Sequence, residues 1–448
     1  MPNAVDLFCG AGGCSEGLIQ AGFDILFSSD ISDMVMATYV HRHEQLGLHQ
    51  GINTWFELCD IQNLTGERVR ECIRGLKIFR NGGAPEEIDL VIGGPSCQGF
   101  SRAGRRDPHD PRNMLFGEYV RVINELRPKY LVLENVEGFM DMEFFGYVGI
   151  TGVHYPDKSV TPVILRNELE LIGYDTLEPR ILNAADYGVP QRRRRVIFIG
   201  YRRGLPAPVY PVPTHADNHL SIREAISDLI SDENIRNQVN PHGLSEFQQQ
   251  SMHGRTPRVD GNHQPIAVLP GEPHTCTTRA ALSQLVRERF ALFQQGENGR
   301  KLAARIQEEG INLGNSPLLV EMCASKMHMD AAEVIQLFST GNVNDSQIKT
   351  LLTKKNIRSR LSEDAPAPTI VSIPDDYISP WEDEILNVRE MARCQSFDDS
   401  FEFRGKRTTG GIARRSEVPQ CTQVGNAVPP LLARAIAEQI VEALNRTE

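Results

Sequence analysis

The sequence lacks the features of membrane and secreted proteins. No apolar run approaches the length that spans a bilayer, and the first residues lack the basic segment and apolar stretch of a signal peptide. Internal repeats and low-complexity tracts are also absent, which excludes a repeat architecture. With 448 residues, 40% hydrophobic and 23% charged, the chain is long enough for two domains, and we expect a cytoplasmic globular protein.

The nine cysteines include no Cys-x-x-Cys pair. An odd number of scattered cysteines in a reducing compartment favours free thiols over disulfides and argues against a zinc site, so we expect no bound metal. All but one are interpreted as small buried residues, namely Cys9, Cys14, Cys59, Cys72, Cys276, Cys323, Cys394 and Cys421. Only Cys97 lies in a setting that favours reactivity.

Cys97 belongs to a glycine-rich turn that follows the apolar run at residues 88–92. The run predicts a short buried strand, and Gly93, Gly94 and Pro95 end it. Open α/β sheets place their ligands at strand tips, and a thiol on a loop there can lose its proton and attack an electrophile. The segment alone leaves that electrophile undefined.

A net positive charge is also missing, since the formal net charge is −11. Taken over the whole chain this value disfavours nucleic-acid binding, but binding depends on the local potential. The basic residues gather in three clusters: Arg102, Arg105 and Arg106; Arg192, Arg193, Arg194, Arg195, Arg202 and Arg203; and Arg404, Lys406, Arg407, Arg414 and Arg415. One cluster alone is typical of a solvated face, whereas three near glycine-rich loops favour an anionic channel.

Strand and helix patterns alternate up to about residue 204. Strands are predicted at residues 4–8, 24–28, 90–92, 130–134 and 196–200, and helices at 15–21, 118–126 and 163–172. This alternation predicts an α/β fold with a parallel, doubly wound sheet.

Prolines mark a break after residue 204, and short helical pieces, with a largely helical part from 280 to about 361, follow. We interpret residues 1–204 as a catalytic and cofactor-binding domain and residues 205–365 as an inserted smaller domain. Residues 366–448, which end in an amphipathic helix at 431–444, would be a return segment that completes the first domain.

The chain begins with a strand, a glycine-rich turn and a helix. Gly10, Gly12 and Gly13 allow close approach of a ligand at the helix N-terminus, but such a turn fits a dinucleotide, a nucleoside cofactor or no ligand at all. Asp30 follows the second strand, where an acidic residue typically binds ribose, and Asp60 is placed to accept from an adenine amino group. Each aspartate alone would be interpreted as a helix cap or turn residue.

Charged residues also stand at two other strand ends. A carboxylate such as Glu134, at the end of a buried strand, is costly unless it is paired or protonated, which suits proton sharing with a ring nitrogen. Arg193 and Arg195 alternate at a strand entry and are expected to point the same way, where guanidinium groups hold phosphates and carbonyl oxygens. The alternatives are a structural carboxylate and a solvated basic edge.

In this order, the segments resemble the DNA cytosine-5 methyltransferase family, of the prokaryotic modification type. Asp-Leu-Phe-Cys-Gly-Ala-Gly-Gly at 6–13 resembles its first S-adenosylmethionine motif, and Pro-Ser-Cys-Gln at 95–98 its catalytic loop. Glu-Asn-Val at 134–136 and Gln-Arg-Arg-Arg-Arg at 191–195 resemble two further motifs, and residues 389–397 and 423–430 resemble the last two. The extra residues at 139–161 and the long helical part near 280–345 depart from a minimal member of the family.

The resemblance implies a Rossmann-like, S-adenosylmethionine-dependent fold and methyl transfer to C5 of a flipped cytosine in duplex DNA. Cys97 would add to C6, and Glu134 would bind N3 and the exocyclic amine. Arg193 and Arg195 would hold the base carbonyl, the Cys97 loop and nearby phosphate. The residues that it implies for the cofactor S-adenosyl-L-methionine are Phe8, Gly10, Ala11, Gly12, Gly13, Asp30, Asp60, Ile61, Leu115, Asn426 and Val428.

The inserted domain would read the target sequence in the major groove. Candidate readers in a loop-like stretch are Arg255, Arg258, Asn262 and Gln264. A monomer on double-stranded DNA is expected, with a restriction or phage-defence complex as the candidate protein partner. An RNA cytosine-5 methyltransferase and a catalytically silent DNA-binding relative are the alternative functions, and a nicotinamide-dependent oxidoreductase ranks well behind them.

Overall fold

The computed structural model describes residues 1–95, 114–260, 262, 264–266, 274–353, 358–372, 376–411, 413 and 416–446. In these parts the strands are β1 (Asn3–Leu7), β2 (Asp24–Asp30), β3 (Trp55–Leu58), β4 (Leu90–Gly93), β5 (Tyr130–Asn135), β6 (Glu143–Phe144), β7 (Ser159–Val160), β8 (Tyr174–Thr176), β9 (Arg180–Asn183), β10 (Arg194–Arg202), β11 (Arg258–Val259), β12 (Pro265–Ile266), β13 (Ser359–Arg360) and β14 (Tyr377–Ile378).

The helices of the same parts are α1 (Gly13–Gln20), α2 (Asp33–Gln45), α3 (Gly66–Arg74), α4 (Leu115–Leu126), α5 (Thr161–Leu171), α6 (Ile222–Ile226), α7 (Glu233–Val239), α8 (Glu246–His253), α9 (Gln284–Ala291), α10 (Gly299–Glu309), α11 (Pro317–Met327), α12 (Ala331–Ser339), α13 (Asp345–Leu352), α14 (Val388–Cys394), α15 (Gln420–Asn426) and α16 (Pro430–Asn445).

The central sheet is mixed and has the strand order β3-β2-β1-β4-β5-β10-β8, with β9 paired to β10. Strands β1 to β5 run parallel, as the alternating pattern predicts. The expectation of a wholly parallel sheet is wrong for β10, which runs antiparallel to β5, β8 and β9. The connection from β9 to β10 is too short to hold a crossover helix, so the two strands can only pair as a hairpin.

Both faces of the sheet are covered by helices. On one face, α3, α4 and α5 pack against Val5, Leu131 and Phe198. On the other face, α1 and α16 pack against Ala4 and Ile197. Because successive strand residues point to opposite faces and both faces are buried, these strands read as continuous apolar runs. The amphipathic helix predicted at 431–444 is confirmed as α16.

Helices α9 to α13 form a helical cluster around an apolar core in which Leu302, Phe338 and Leu351 are fully buried, and which also includes Ile378 and Ile385. The largely helical part predicted from residue 280 is thereby confirmed. Arg360 attaches this cluster to the segment before α14. Its guanidinium group donates to the carbonyl oxygens of Phe290 at 2.9 Å and Ser379 at 2.9 Å.

A buried ionic network connects the stretch after β10 with α14 and its following loop. Arg393 donates to Asp399 at 2.6 Å and to Asp228 at 2.9 Å, and all of these charged groups are nearly inaccessible to solvent. Arg255, a candidate base reader in the sequence, instead pairs with Asp398 at 3.0 Å with its side chain 6% exposed. A guanidinium group buried in this way holds the protein together and is not available to a DNA base.

No helix in the described parts combines the length and apolarity that crossing a bilayer requires.

Candidate active site

The site lies where the strand order changes direction, between β1 and β4. Chain connections from β1 run outward through β2 to β3, whereas β4 returns to the other side of β1. Ligands of open α/β sheets bind at the carboxyl ends of the strands beside such a switch point. Leu7 pairs with Gly93, and Gly93 with Leu133, so the segments after β1, β4 and β5 emerge side by side.

The turn after β1 is held by the acidic residue at the end of β2. The N–H of Gly10 donates to Oδ2 of Asp30 at 3.1 Å, and the N–H of Ser32 donates to Oδ1 at 2.9 Å. Burial raises the pKa of Asp30 above the usual aspartate value. Phe8 adopts a left-handed backbone conformation with φ of 56°, a strained geometry for a residue with a large side chain.

The start of α1 approaches the C-terminal segment so closely that a side chain has no room there. A Cβ atom at Gly13 would overlap the carbonyl oxygen of Val428, which is buried. Gly12 caps the helix in a left-handed conformation, and Ala11 is buried beside it. By contrast, a Cβ atom at Gly10 would meet nothing within 4 Å, which leaves space for a ligand at this point of the turn.

The remaining predicted cofactor residues are spread around this edge of the sheet. Asp60 follows β3 and caps a short 3-10 helix by accepting from the N–H of Gln62 at 3.0 Å, while Ile61 is buried beneath it. Leu115 is half-buried at the start of α4. Asn426 is exposed at the end of α15, two residues before Val428.

Glu134 and Arg195 form an ion pair at the carboxyl end of β5. The Nε of Arg195 lies 2.8 Å from Oε1 of Glu134, and each side chain is 12% exposed. A Cβ atom at Gly94, directly after β4, would lie 3.2 Å from the other carboxylate oxygen, Oε2. The carboxylate is therefore paired on one side and faces the start of the segment that follows β4.

Asn135 fixes the backbone of that same segment. Its Nδ2 donates to the carbonyl oxygen of Pro95 at 3.0 Å, and its Oδ1 accepts from the N–H of Val136 at 2.9 Å. Cys97 itself, two residues after Pro95, lies outside the described residues, as do Arg102, Arg105 and Arg106. The described flanks bring the start of the Cys97 segment next to Glu134.

Arg193, unlike Arg195, binds backbone carbonyl groups of later segments. It is 1% exposed and donates to the carbonyl oxygens of Gly425 at 3.0 Å and Ile370 at 3.3 Å. It shares the buried side of the strand entry with Arg195, as the alternation predicts, while Arg192 and Arg194 are exposed. The two inward arginines therefore contact different partners, and only Arg195 contacts Glu134.

The second basic cluster of the sequence is divided by the length of β10. Arg194 and Arg195 begin this strand, and Arg202 ends it, ~26 Å away at about 3.3 Å per residue. Arg202 pairs with Glu87 at 2.6 Å, and Arg203 pairs with Asp175. The cluster does not act as one basic surface, because its two parts lie at opposite ends of the same strand, β10.

Burial makes several of the described thiols poor nucleophiles. It raises the pKa of Cys59, Cys72 and Cys323 to about 11, and raises that of Cys9 and Cys14 far above the ordinary cysteine value. The interpretation of the other cysteines as buried is confirmed except at Cys59 and Cys276, which are half-buried. No cluster of His, Cys, Asp and Glu among the described residues could hold a metal ion.

Comparison with known proteins identifies the family of the chain. The family model for C-5 cytosine-specific DNA methylase matches residues 3–442. The chain belongs to the C-5 cytosine-specific DNA methylase family.

Individual relatives extend over the whole chain. Type II methyltransferase M.XorII of Xanthomonas oryzae is 30% identical, over 99% of this chain and 86% of its own length. Type II methyltransferase M.AgeI of Thalassovita gelatinovora is 29% identical, over 99% of this chain and 100% of its own. A crystal structure of a DNA modification methyltransferase encoded within an E. coli prophage has a TM-score of 0.64 at 22% identity, covering 99% and 100% of the two chains, and shares the fold.

Membership of this methylase family makes the protein a DNA cytosine-5 methyltransferase with the fold of S-adenosylmethionine-dependent enzymes.

The sequence does not single out two residues of the site, Asn135 and Gln191, as individual functional groups. Asn135 enters the sequence analysis only as part of a motif, and so does Gln191. In the structure, Gln191 donates to Gln395 at 2.8 Å and accepts from the N–H of Ile370 at 2.7 Å. Both residues lie inside recognised motifs, and that position is the evidence from which the sequence could have identified them.

Proposed function

We propose that the protein methylates C5 of a flipped cytosine within one specific duplex DNA sequence, with Cys97 as the nucleophile. The observation that carries the proposal is the Glu134 carboxylate, which Arg195 holds at 2.8 Å beside the start of the Cys97 segment. A carboxyl group in this position can accept from the exocyclic amine of a cytosine whose C6 faces the thiol and, when protonated, can donate to N3. Flipping exposes both edges of the base at the expense of unstacking it.

The residues at the turn after β1 fit S-adenosyl-L-methionine. The open space at Gly10 and the acidic Asp30, 20 residues further on, suit a ligand with a ribose, and the start of α1 suits its carboxylate. Phe8, Gly12, Gly13, Asp60, Ile61, Leu115, Asn426 and Val428 would complete the pocket, with Ala11 behind the turn. When bound, this cofactor supplies an electrophilic methyl group.

Side chains of the protein activate the cytosine ring for attack by its C5 atom. The Cys97 thiolate forms a bond to C6 while a protonated Glu134 transfers its proton to N3, which leaves a C4=C5 enamine whose C5 is nucleophilic. N3 returns this proton to Glu134 once C5 has gained the methyl group. After C5 gains the methyl group it gives up its hydrogen to a base as a proton. The electron pair of that C–H bond restores the C5=C6 double bond as the C6–S bond breaks, and the thiolate of Cys97 is regenerated.

Two side chains that do not touch the base, Asn135 and Arg193, position the segments around the site. Asn135 fixes Pro95, and Arg193 fixes the carbonyl oxygens of Gly425 and Ile370, so the Cys97 segment and the C-terminal segment keep their places. We assign Arg195 to Glu134 and to the base carbonyl. We assign Arg193 to the protein backbone, in place of the direct contact with base or phosphate that the sequence suggested.

The packing also bears on how the chain divides into domains. We propose that residues 205–365 contain the target-recognition domain and that residues 1–204 and 366–448 form the catalytic domain. Two observations support this division: the core of α9 to α13 is distinct from the cores on the two faces of the central sheet, and α16 packs on α1. The Type II relatives support a role beside a restriction nuclease or a related phage-defence system.

The decisive experiment is bisulfite sequencing of unmethylated duplex DNA after incubation with purified protein and S-adenosyl-L-methionine. Protected cytosines within one recurring sequence are the expected result. Cys97→Ala should abolish protection while DNA binding, followed by gel shift, persists. Protection by the variant would contradict the assigned nucleophile. Methylation of folded RNA but not of DNA would contradict the proposed substrate, and binding without any methylation would indicate a silent relative.

Glu134→Gln provides a test of the carboxylate. The amide keeps the shape of the side chain but cannot transfer a proton to N3, so single-turnover methyl transfer should slow by roughly 100-fold or more. Cofactor binding, measured by calorimetry, should change little. A normal single-turnover rate would remove Glu134 from the mechanism.

A further inference from the structure

The turn between β1 and α1 has an unusual backbone that other parts of the protein must hold in place. Phe8, Gly10 and Gly12 all adopt left-handed conformations, with φ of 56°, 54° and 101°. A residue with a large side chain, such as Phe8, keeps this conformation only where the surrounding structure fixes it. The contacts that fix the turn therefore also set the shape of the proposed methyl-donor pocket.

Four buried side chains, which we call the hydroxyl chain, join the two ends of this turn. The hydroxyl of Ser15, near the start of α1, donates to Oδ2 of Asp6 in β1 at 2.7 Å. The phenol oxygen of Tyr39 in α2 lies 2.7 Å from Oγ of Ser15 and 2.5 Å from Oγ of Ser28 in β2. All four residues are at most 1% exposed. The hydroxyl chain thus connects β1, α1, α2 and β2 around the turn.

The hydrogen bonds of the hydroxyl chain all point toward Asp6. An ionised carboxylate can only accept, and each hydroxyl carries a single proton. Because Ser15 donates to Asp6, its oxygen accepts from Tyr39, and the oxygen of Tyr39 in turn accepts from Ser28. Burial raises the pKa of the Tyr39 phenol well above its usual value, so this hydroxyl keeps its proton. Hydrogen bonds aligned in this way polarise one another, so the loss of one link weakens the others.

Tyr39 contacts the turn with its ring as well. A Cβ atom at Gly12 would lie 3.2 Å from two ring atoms of Tyr39, and Cys9 packs in the same small apolar cluster as this ring. Asp30 holds the middle of the turn, where it accepts from the N–H of Gly10 at 3.1 Å. Tyr39 therefore packs against the turn and also hydrogen-bonds to the helix that follows it.

We propose that Tyr39 is a positioning residue for the methyl donor: by linking Ser15 to Ser28, its hydroxyl holds the glycine turn in the shape that binds S-adenosyl-L-methionine. The inference rests on the proposed function and adds a residue of α2 that belongs to none of the recognised motifs. With 1% exposure, Tyr39 acts through the turn and not by contact with the cofactor.

Tyr39→Phe tests the hydroxyl alone, because the ring that packs against the turn remains. The measurements are made at about pH 8, where Asp6, whose pKa burial raises to about 7, is ionised. The dissociation constant of S-adenosyl-L-methionine, measured by calorimetry, should rise roughly tenfold, which is about the effect of one lost hydrogen bond. The single-turnover rate at saturating cofactor should stay close to that of wild type, because the reacting groups are unchanged.

Tyr174→Phe is the matched control. Tyr174 is fully buried and its hydroxyl donates to the carbonyl oxygen of Pro128 at 2.7 Å, but three strands separate β8 from β1. Both variants lose buried hydrogen bonds, so both should lower the melting temperature. Only Tyr39→Phe should weaken cofactor binding.

Hydrogen–deuterium exchange of the enzyme without cofactor tests the turn itself. Peptides that cover residues 6–16 should exchange faster in Tyr39→Phe than in wild type, and at the wild-type rate in Tyr174→Phe. Ser15→Ala breaks the hydroxyl chain at its next link and should raise the dissociation constant and the exchange rate in the same way. Combining it with Tyr39→Phe should add little, because both substitutions remove the same connection.

A dissociation constant and an exchange rate equal to those of wild type in Tyr39→Phe would overturn the inference and leave the proposed function intact. Equal losses of cofactor affinity in Tyr39→Phe and Tyr174→Phe would also overturn it, because they would reflect general destabilisation. If the wild type binds no S-adenosyl-L-methionine, while faster exchange of the turn is confined to Tyr39→Phe and Ser15→Ala, the proposed cofactor is wrong and Tyr39 remains the residue that holds the turn.

Discussion

At the scale of single residues, Asp6 shows how burial changes the pH at which a carboxyl group loses its proton. It lies in β1 with 1% exposure and accepts a hydrogen bond from the hydroxyl of Ser15 at 2.7 Å. Burial raises its pKa to about 7, because the charged form loses its hydration. Between about pH 4 and pH 7 the folded protein therefore keeps a proton on Asp6 that the unfolded chain has already released.

The folded state is then the one that binds more protons, so the free energy of unfolding falls as the pH rises through this interval. Asp6→Asn removes the charge at nearly constant shape. Relative to wild type, the variant should gain stability from pH 4 to pH 7, by up to ~4 kcal/mol, and no further above pH 7. Urea unfolding of both proteins across the range measures this difference.

The difference between the two proteins, and not the wild-type curve, is the informative quantity. Burial lowers the pKa of His43 to about 3, and this histidine has the opposite effect in the same pH interval. Its contribution is the same in both proteins and cancels on subtraction. A constant difference between Asp6→Asn and wild type would show that Asp6 is ionised throughout.

At the scale of elements, the contact between α1 and α16 joins the two ends of the chain. A Cβ atom at Gly17 would lie 2.5 Å from the N atom of Arg434 and 2.6 Å from the carbonyl oxygen of Pro430. The backbones of the two helices thus approach each other with no space for a side chain between them. The position of α16, and with it that of Val428, depends on this approach.

Gly17→Ala should push α16 away from α1. Overpacking of this kind costs about 1–3 kcal/mol, so the melting temperature should fall by several degrees and cofactor binding should weaken. Gly410→Ala is the control, because a Cβ atom there would meet nothing within 4 Å. Equal melting temperatures for Gly17→Ala and Gly410→Ala would show that the helices can separate without loss.

Most elements of the catalytic sheet could be predicted from the sequence, because strands buried on both faces leave uninterrupted apolar runs. The run predicted at 196–200 is the core of β10. Its direction could not be predicted, since an apolar run reads the same in a parallel and an antiparallel strand. The short strands β8 and β9 were also missed, because three or four residues give too little pattern to recognise.

At the scale of the whole molecule, the Arg393 network joins residues that are far apart in sequence. Asp228 is 165 residues from Arg393, and no local pattern marks the two as partners. Motif recognition selects Cys97 and Glu134 as candidates, because their spacing to glycines and strands is local. Arg255 stood among the candidate base readers for the opposite reason, since its partner Asp398 is 143 residues away and no local pattern reveals the pair.

Arg393→Met should be strongly destabilising. It removes the guanidinium group that the buried carboxylates of Asp228 and Asp399 share, and loss of one partner of a buried pair costs about 3–5 kcal/mol. Arg434→Met, which breaks the exposed pair with Glu438, should cost less than about 0.5 kcal/mol. Chemical unfolding of both variants compares the two losses, and similar values would mean that water reaches the network.

The contact of Gly13 with Val428 has a consequence for synthesis of the protein. The glycine turn leaves the ribosome at the start of translation, but the residue that packs against it is added only near the end. At ~5–20 residues per second, the turn waits about 20–80 s for its partner. A nascent chain therefore lacks one wall of the proposed methyl-donor pocket until almost the whole sequence exists, and truncated products of interrupted translation should be unable to modify DNA.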